Sequence, residues 1–213
     1  MSAMTESGAT VTRSRERTRG KLLDAAAQVF AEVGLDAASV EAICDRAGFT
    51  RGAFYSNFET KDELFLELAG IVARERVEAV RSRVGELEEQ GRFEPTDAFA
   101  IIEQVLDVSA DDRLGVLLMS EIRIHALRNP ALAAAYLQQE AEMQHGVAQI
   151  VTDIGRAKGL EFRVSADETA RIMMLVWDGA SVRAAMAGVD AEELRRRTST
   201  ELALVAQLAI VER

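Results

Sequence analysis

The sequence predicts an all-α protein in which three short helices precede a longer helical bundle. Three observations carry this. Apolar residues recur at three- and four-residue intervals along most of the chain, and no segment alternates with period two over a useful length. The helix formers Ala, Leu, Glu and Arg are abundant, while only 2 prolines occur in 213 residues. Capping residues stand where the apolar stripes begin.

The elements follow in order. From Thr18 onward, Leu22, Leu23, Ala26, Ala27, Phe30 and Val33 form one stripe, and Gly34 can take the left-handed conformation that ends a helix. Ser39 is an N-cap for a second helix with the apolar face Val40, Ile43, Cys44 and Ala47, and Gly48 stops it after two turns. Thr50 caps a third helix over 51–57, with Phe54 and Phe58 on its inner side. Thr60-Lys61-Asp62-Glu63 is a capping box that opens a long helix, 62–90. Further helices are predicted over 95–107, 111–127, 130–157, 165–187 and 191–210. Pro95 and Pro130 occupy helix starts, with Asn129 capping the latter. Ser165 to Glu168 is another capping box, and Asp190 to Glu193 resembles one. Residues 1–16 are small, polar and aperiodic, and are predicted to be disordered.

Composition excludes several classes. With 48% hydrophobic and 28% charged residues, the chain has the makeup of a globular protein. No apolar run reaches the roughly 18 residues of a membrane span, and the N-terminus lacks the apolar core of a signal peptide. The lone Cys44 makes neither an internal disulfide nor a multi-cysteine zinc site, and reads as a small buried hydrophobe. A cytoplasmic protein without membrane partner is expected. The net charge of −10 is unevenly spread: residues 1–61 hold 8 basic and 8 acidic side chains, residues 62–213 hold 17 and 27. Arg13, Arg15, Arg17, Arg19 and Lys21 stand against Glu16 alone, a local +4. Such a stretch is either a solvated tail or a cationic arm that neutralises phosphates.

Residues 18–57 carry the chemistry. A short helix, the turn Ala47-Gly48-Phe49 and a second short helix have the spacing of a helix-turn-helix, which many small helical domains share. The third helix raises the functional reading. Burying Phe54 and Phe58 leaves Thr50, Arg51, Gly52, Tyr55 and Ser56 outward. Glycine at 52 costs about 1 kcal/mol against alanine in a helix but permits close approach to another surface. Arg51 has the planar fork that pairs with guanine. Tyr55 and Lys61 are donors suited to phosphates, as are the exposed amides at the starts of the second helix, beside Ser39, and of the fourth, and the side chain of Arg17 in the basic stretch.

The stretch Ala47 to Leu64, AGFTRGAFYSNFETKDEL, resembles the signature of the TetR family of transcriptional regulators, and the preceding Ala27, Phe30, Gly34 and Ser39-Val40 are similar too. The strong match covers about residues 18–65. Many members carry His where this chain has Asn57, and the resemblance implies that Asn57 hydrogen-bonds a phosphate in its place. The resemblance implies three regions: a disordered basic arm at 1–16, a DNA-binding helix-turn-helix domain at 17–62, and a ligand-binding and dimerisation domain at 63–213. It implies a homodimer whose last two helices form a four-helix bundle, with Gly179, Ala180, Arg183, Ala187, Leu202 and Val205 as interface candidates. It also implies a ligand pocket among the middle helices. Candidate lining residues are Phe99, Ile102, Leu106, Leu118, Met119, Ile122, His125, Met143, Met173 and Trp177, or these simply fill the core. Methionines would suit a hydrophobic ligand. Glu121 and His125, four apart, fit a metal, a polar ligand group or an internal hydrogen-bonded pair.

No phosphate-binding glycine loop, metalloprotease motif or nucleophile elbow occurs, and two histidines limit base catalysis, so no catalytic residue, metal or cofactor is assigned. The expected function is a repressor released from a palindromic double-stranded operator by a small hydrophobic effector. A ligand-dependent activator, or a ligand-binding module without sequence-specific DNA binding, are the alternatives.

Overall fold

The computed structural model describes residues 4–89 and 113–211. The helix predicted over 95–107 lies outside them. Eight helices are present among the described residues: α1 (Met4–Ala37), α2 (Val40–Ala47), α3 (Arg51–Tyr55), α4 (Lys61–Glu89), α5 (Arg113–Arg128), α6 (Pro130–Lys158), α7 (Ala166–Met186) and α8 (Ala191–Ala209).

The predicted caps form. Ser39 Oγ accepts the Ala42 N–H at 3.1 Å, Thr50 Oγ1 accepts that of Ala53 at 3.3 Å, and Asp190 Oδ1 that of Glu193 at 2.9 Å. Thr60 Oγ1 accepts the Glu63 N–H at 3.0 Å, but the Glu63 carboxylate reaches back to the Glu59 N–H rather than to Thr60. At Ser165, Oγ accepts the Glu168 N–H and itself donates to the Glu168 carboxylate, each at 3.2 Å.

One expectation fails at the N-terminus. Residues 4–16, read as disordered, continue α1. Once the packed turns from Thr18 onward have formed, each added residue gains a helical hydrogen bond without a new nucleus. At its other end α1 is broken by Gly34, whose φ of 76° and ψ of 173° are not helical.

The chain divides into two compact units. The smaller is Met1–Gly70 with Leu118–Ala134. It is larger than the 17–62 span expected for the head, because it takes in the start of α4 and most of α5. Its buried side chains include Leu22, Phe30, Leu35, Ile43, Phe54, Phe58, Leu64, Phe65 and Ile122. Phe30 and Phe65 meet with ring centroids 6.0 Å apart.

The larger unit is Ile71–Leu117 with Ala135–Arg213. Val84, Leu87, Ile150 and Ile154 of α4 and α6 form one buried cluster; Leu202, Ala203 and Ala206 of α8 form another, with Met173, Val176 and Trp177 of α7 against it. The Arg76 guanidinium lies 5.2 Å from the Trp177 ring centroid. After α6, Phe162 makes an antiparallel bridge with Ile210, and the Arg163 N–H donates to the Ala209 carbonyl at 2.7 Å.

Candidate nucleic-acid interface

α2 and α3 are joined by a tight corner. Gly48 is left-handed (φ 73°, ψ 34°), and the Phe49 N–H donates to the Cys44 carbonyl at 2.9 Å. Thr50, extended at φ −85° and ψ 159°, then starts α3. Inward, Ile43, Cys44, Phe54 and Phe58 are buried. Phe54 packs on Phe58 at 5.7 Å and edge-on to Tyr55 at 5.3 Å. Burial pushes the Cys44 thiol above its ordinary pKa, as suits an inert core cysteine.

Outward stand Ser39, Thr50, Arg51, Gly52, Tyr55 and Ser56, all exposed, as is Arg17 of α1. The protein itself does not need glycine at 52: a Cβ there would meet only Thr50 Oγ1, at an ordinary 3.7 Å. Arg51 Nη1 donates to Glu41 Oε1 of α2 at 2.6 Å. Contact with the Tyr55 side chain, then the Glu41 charge, pushes the Arg51 guanidinium further above its ordinary pKa.

Two expected phosphate donors are turned inward. Asn57 is buried, and its Nδ2 donates to the Ala53 carbonyl at 2.8 Å. It closes the last turn of α3, because the chain must bury Phe58 at the next position. Lys61 Nζ donates to the Leu35 carbonyl at 2.8 Å and more weakly to that of Asp36 at 3.4 Å, binding carbonyls exposed where α1 breaks. The basic stretch is also partly committed. Arg15 donates to the Ser56 carbonyl at 2.9 Å. Arg19 pairs with Glu67 and the Asn57 carbonyl and lies 4.2 Å from the Phe58 ring centroid. These two arginines fasten the end of α3, and Arg46 fastens α2 by a two-point pair with Glu32 of α1 at 2.9 and 2.8 Å. None is separated from its partner by a helical period, so the sequence carries no local signal for them.

The expected pocket residues are distributed over both units. Phe99, Ile102 and Leu106 lie outside the described residues. Leu118, Met119, Ile122 and His125 belong to the smaller unit, while Met143, Met173 and Trp177 belong to the larger. Ile122 has no exposed surface, so it is a core residue rather than a lining one. His125 is committed elsewhere: its Nε2 lies 3.1 Å from Asp36 Oδ1 and its Nδ1 3.6 Å from Asp62 Oδ1. Glu121 and His125, candidates for an internal pair, bond separately: Glu121 accepts the Leu35 N–H at the α1 end, and His125 lies against Asp36 and Asp62. A cleft of about 490 Å³ in the larger unit is lined by Arg81, Val84, Gly85, Ile150, Asp153, Arg156 and Ala157, none of them among the candidates. No group of three or more His, Cys, Asp or Glu suited to a metal occurs among the described residues.

At the expected interface, Ala180 and Leu202 are buried inside the single chain and cannot supply a docking surface. Gly179 and Val205 are half-buried; Arg183 and Ala187 are exposed. The exposed apolar side chains of α7 and α8 are instead Ile172, Leu175, Met186, Leu204 and Leu208. Periodicity within a helix does not tell which apolar stripe the chain keeps for itself.

Comparison with known proteins decides the family. The profile for bacterial regulatory proteins of the tetR family matches residues 22–68, and that for the C-terminal part of BetI-type transcriptional repressors matches residues 96–207. The chain belongs to the TetR family. It is a helix-turn-helix transcriptional regulator. The HTH-type regulator UidR of Escherichia coli is 25% identical over 187 residues, covering 85% of this chain and 86% of that protein. The nicotine-responsive repressor HdnoR of Paenarthrobacter nicotinovorans is 26% identical over 169 residues, covering 78% and 82%. A TetR-family regulator from Mesorhizobium loti shares the fold at TM-score 0.70, with 20% identity over 92% of this chain and 98% of that one. Within this TetR-family regulator, α2 and α3 are the helix-turn-helix. No helix among the described residues is long and apolar enough to cross a membrane.

Proposed function

We propose that this TetR-family chain is a homodimeric repressor that reads a palindromic operator through α3 and is released by a small hydrophobic effector. The single observation that carries the operator reading is the outward row Thr50, Arg51, Gly52, Tyr55 and Ser56 above a buried Phe54–Phe58 pair. Thr50 and Arg51 make sequence choice, Gly52 admits the duplex surface, and Tyr55, Ser56, Ser39 and Arg17 contact phosphates or sugars. The net charge of −10, carried by residues 62–213, confines DNA contact to the head. The exposed apolar residues of α7 and α8 support a two-fold pairing, since a two-fold operator needs two heads about 34 Å apart.

Release requires the head to respond to the effector domain. Glu121 of α5 accepts the Leu35 N–H, and His125 sits between Asp36 and Asp62, so α5 holds both the broken end of α1 and the start of α4. A shift of α5 or α4 moves the helix-turn-helix. Emptying a 99% competent state to 1% takes an effector preference of about 5.5 kcal/mol for the other state. The nicotine-responsive name of HdnoR supports a small organic effector. A cytoplasmic location accords with a DNA partner.

The test is selection of duplexes from a random pool by the full chain, followed by mobility shift and light scattering on the selected complex. Two subunits on a palindrome, with affinity falling steeply in salt, is the expected result. One subunit per duplex, or no selected sequence, overturns it. An effector that raises affinity instead of lowering it makes the protein an activator.

A further inference from the structure

A carboxylate facing outward on a DNA-binding surface opposes the phosphates it meets, and Glu41 is such a carboxylate. It lies in the first turn of α2, its side chain 56% exposed, and it holds Arg51, 60% exposed, at 2.6 Å. The Arg51 Cζ stands 6.0 Å from the Tyr55 ring centroid, so the guanidinium has a neighbour on each element that faces outward. The fold has no evident need for this pair. The corner between α2 and α3 is already held by the left-handed Gly48, by buried Ile43, Cys44 and Phe54, and by the Arg46–Glu32 pair to α1.

An arginine without such a partner turns to phosphate oxygens as readily as to a base edge, and phosphate contacts carry no sequence information. Held by one Nη1 hydrogen, Arg51 still offers the rest of its fork to two acceptors, as guanine O6 and N7 require. Moving to a phosphate instead leaves Glu41 unpaired against a polyanion, which penalises the wrong duplex. We propose that Glu41 is a positioning residue for operator choice: it holds the Arg51 fork for a guanine edge and makes binding to unrelated DNA unfavourable. The inference rests on Arg51 reading a base.

The experiment compares wild type, Glu41→Gln, Arg51→Ala and the double variant as full chains. Each is titrated with the duplex selected by wild type, with that duplex altered at each guanine, and with an unrelated duplex. Glu41→Gln should tighten binding to the unrelated duplex about tenfold, steepen its salt slope by about one, and change the selected duplex by less than about threefold. In the Arg51→Ala background the same substitution should leave the ratio of selected to unrelated binding unchanged. An unchanged ratio in the wild-type background overturns the proposal, as does an equal change without Arg51, which would make Glu41 a charge acting alone. Uniform weakening on every duplex with a lower unfolding temperature would assign it a structural role only. If Arg51→Ala keeps the full preference for every guanine, the base-reading assignment itself fails, and Glu41's proposed role falls with it.

Discussion

The Glu121 carboxylate accepts the main-chain N–H of Leu35 at 2.7 Å, across 86 positions of sequence. Gly34 breaks α1 immediately before, so this N–H has left the helical ladder while the Leu35 side chain is fully buried. Glu121→Ala should therefore cost about 1–3 kcal/mol, and Glu121→Gln, which keeps an acceptor, less. Denaturant unfolding measures both. An alanine variant as stable as wild type would mean that solvent serves the amide equally well.

Gly34 itself sits at φ 76° and ψ 173°, a region that is essentially glycine's alone. A Cβ there would meet Glu121 Oε1 at 3.5 Å, an ordinary contact, so the penalty is in the backbone. Gly34→Ala should destabilise by about 1–3 kcal/mol. Combining it with Glu121→Ala should give less than the sum, since both act on the same corner.

Gly52→Ala should separate stability from binding. The added methyl meets only Thr50 Oγ1 at 3.7 Å, and alanine favours the helix, so the unfolding free energy should rise by up to about 1 kcal/mol. Operator affinity should fall at the same time. Equal or tighter DNA binding would place the duplex away from residue 52.

In the larger unit, a Cβ on Gly155 would lie 2.8 Å from Phe162 Cε2. Gly155→Ala should push the ring off α6 and cost about 1–3 kcal/mol, with a lower thermal midpoint. Adding Phe162→Leu should recover part of the loss. No recovery would show that the ring is not what resists the methyl.

Acid should loosen the start of α8. Hydrogen bonds from Arg196 and then Arg197 hold the Glu193 carboxyl down at about 2, against an ordinary 4.5. A carboxylate with a depressed folded-state pKa stabilises fully above about 4.5, and that contribution is lost as pH falls from there towards 2. Glu193→Gln should flatten the stability curve over this window and leave its shape near neutrality unchanged. An identical acid limb in wild type and variant would discount these pairs.

What the residues determined alone is whatever one element can settle. The helical period, the caps at Ser39, Thr50, Ser165 and Asp190, and the helix-turn-helix spacing each depend on neighbours within a few positions, and each is realised. The outward row from Thr50 to Ser56 was legible for the same reason, because burying Phe54 and Phe58 fixes the rotation of α3. The tertiary structure alone decided which polar side chains remain for a partner. Asn57 and Lys61 had the right chemistry for phosphate, but Asn57, buried beside Phe58, turns its amide back to the Ala53 carbonyl, and packing brings the Leu35 carbonyl at the α1 break within reach of Lys61. Glu41, Glu121 and His125 found their partners 10, 86 and 89 positions away, a distance over which periodicity carries no information.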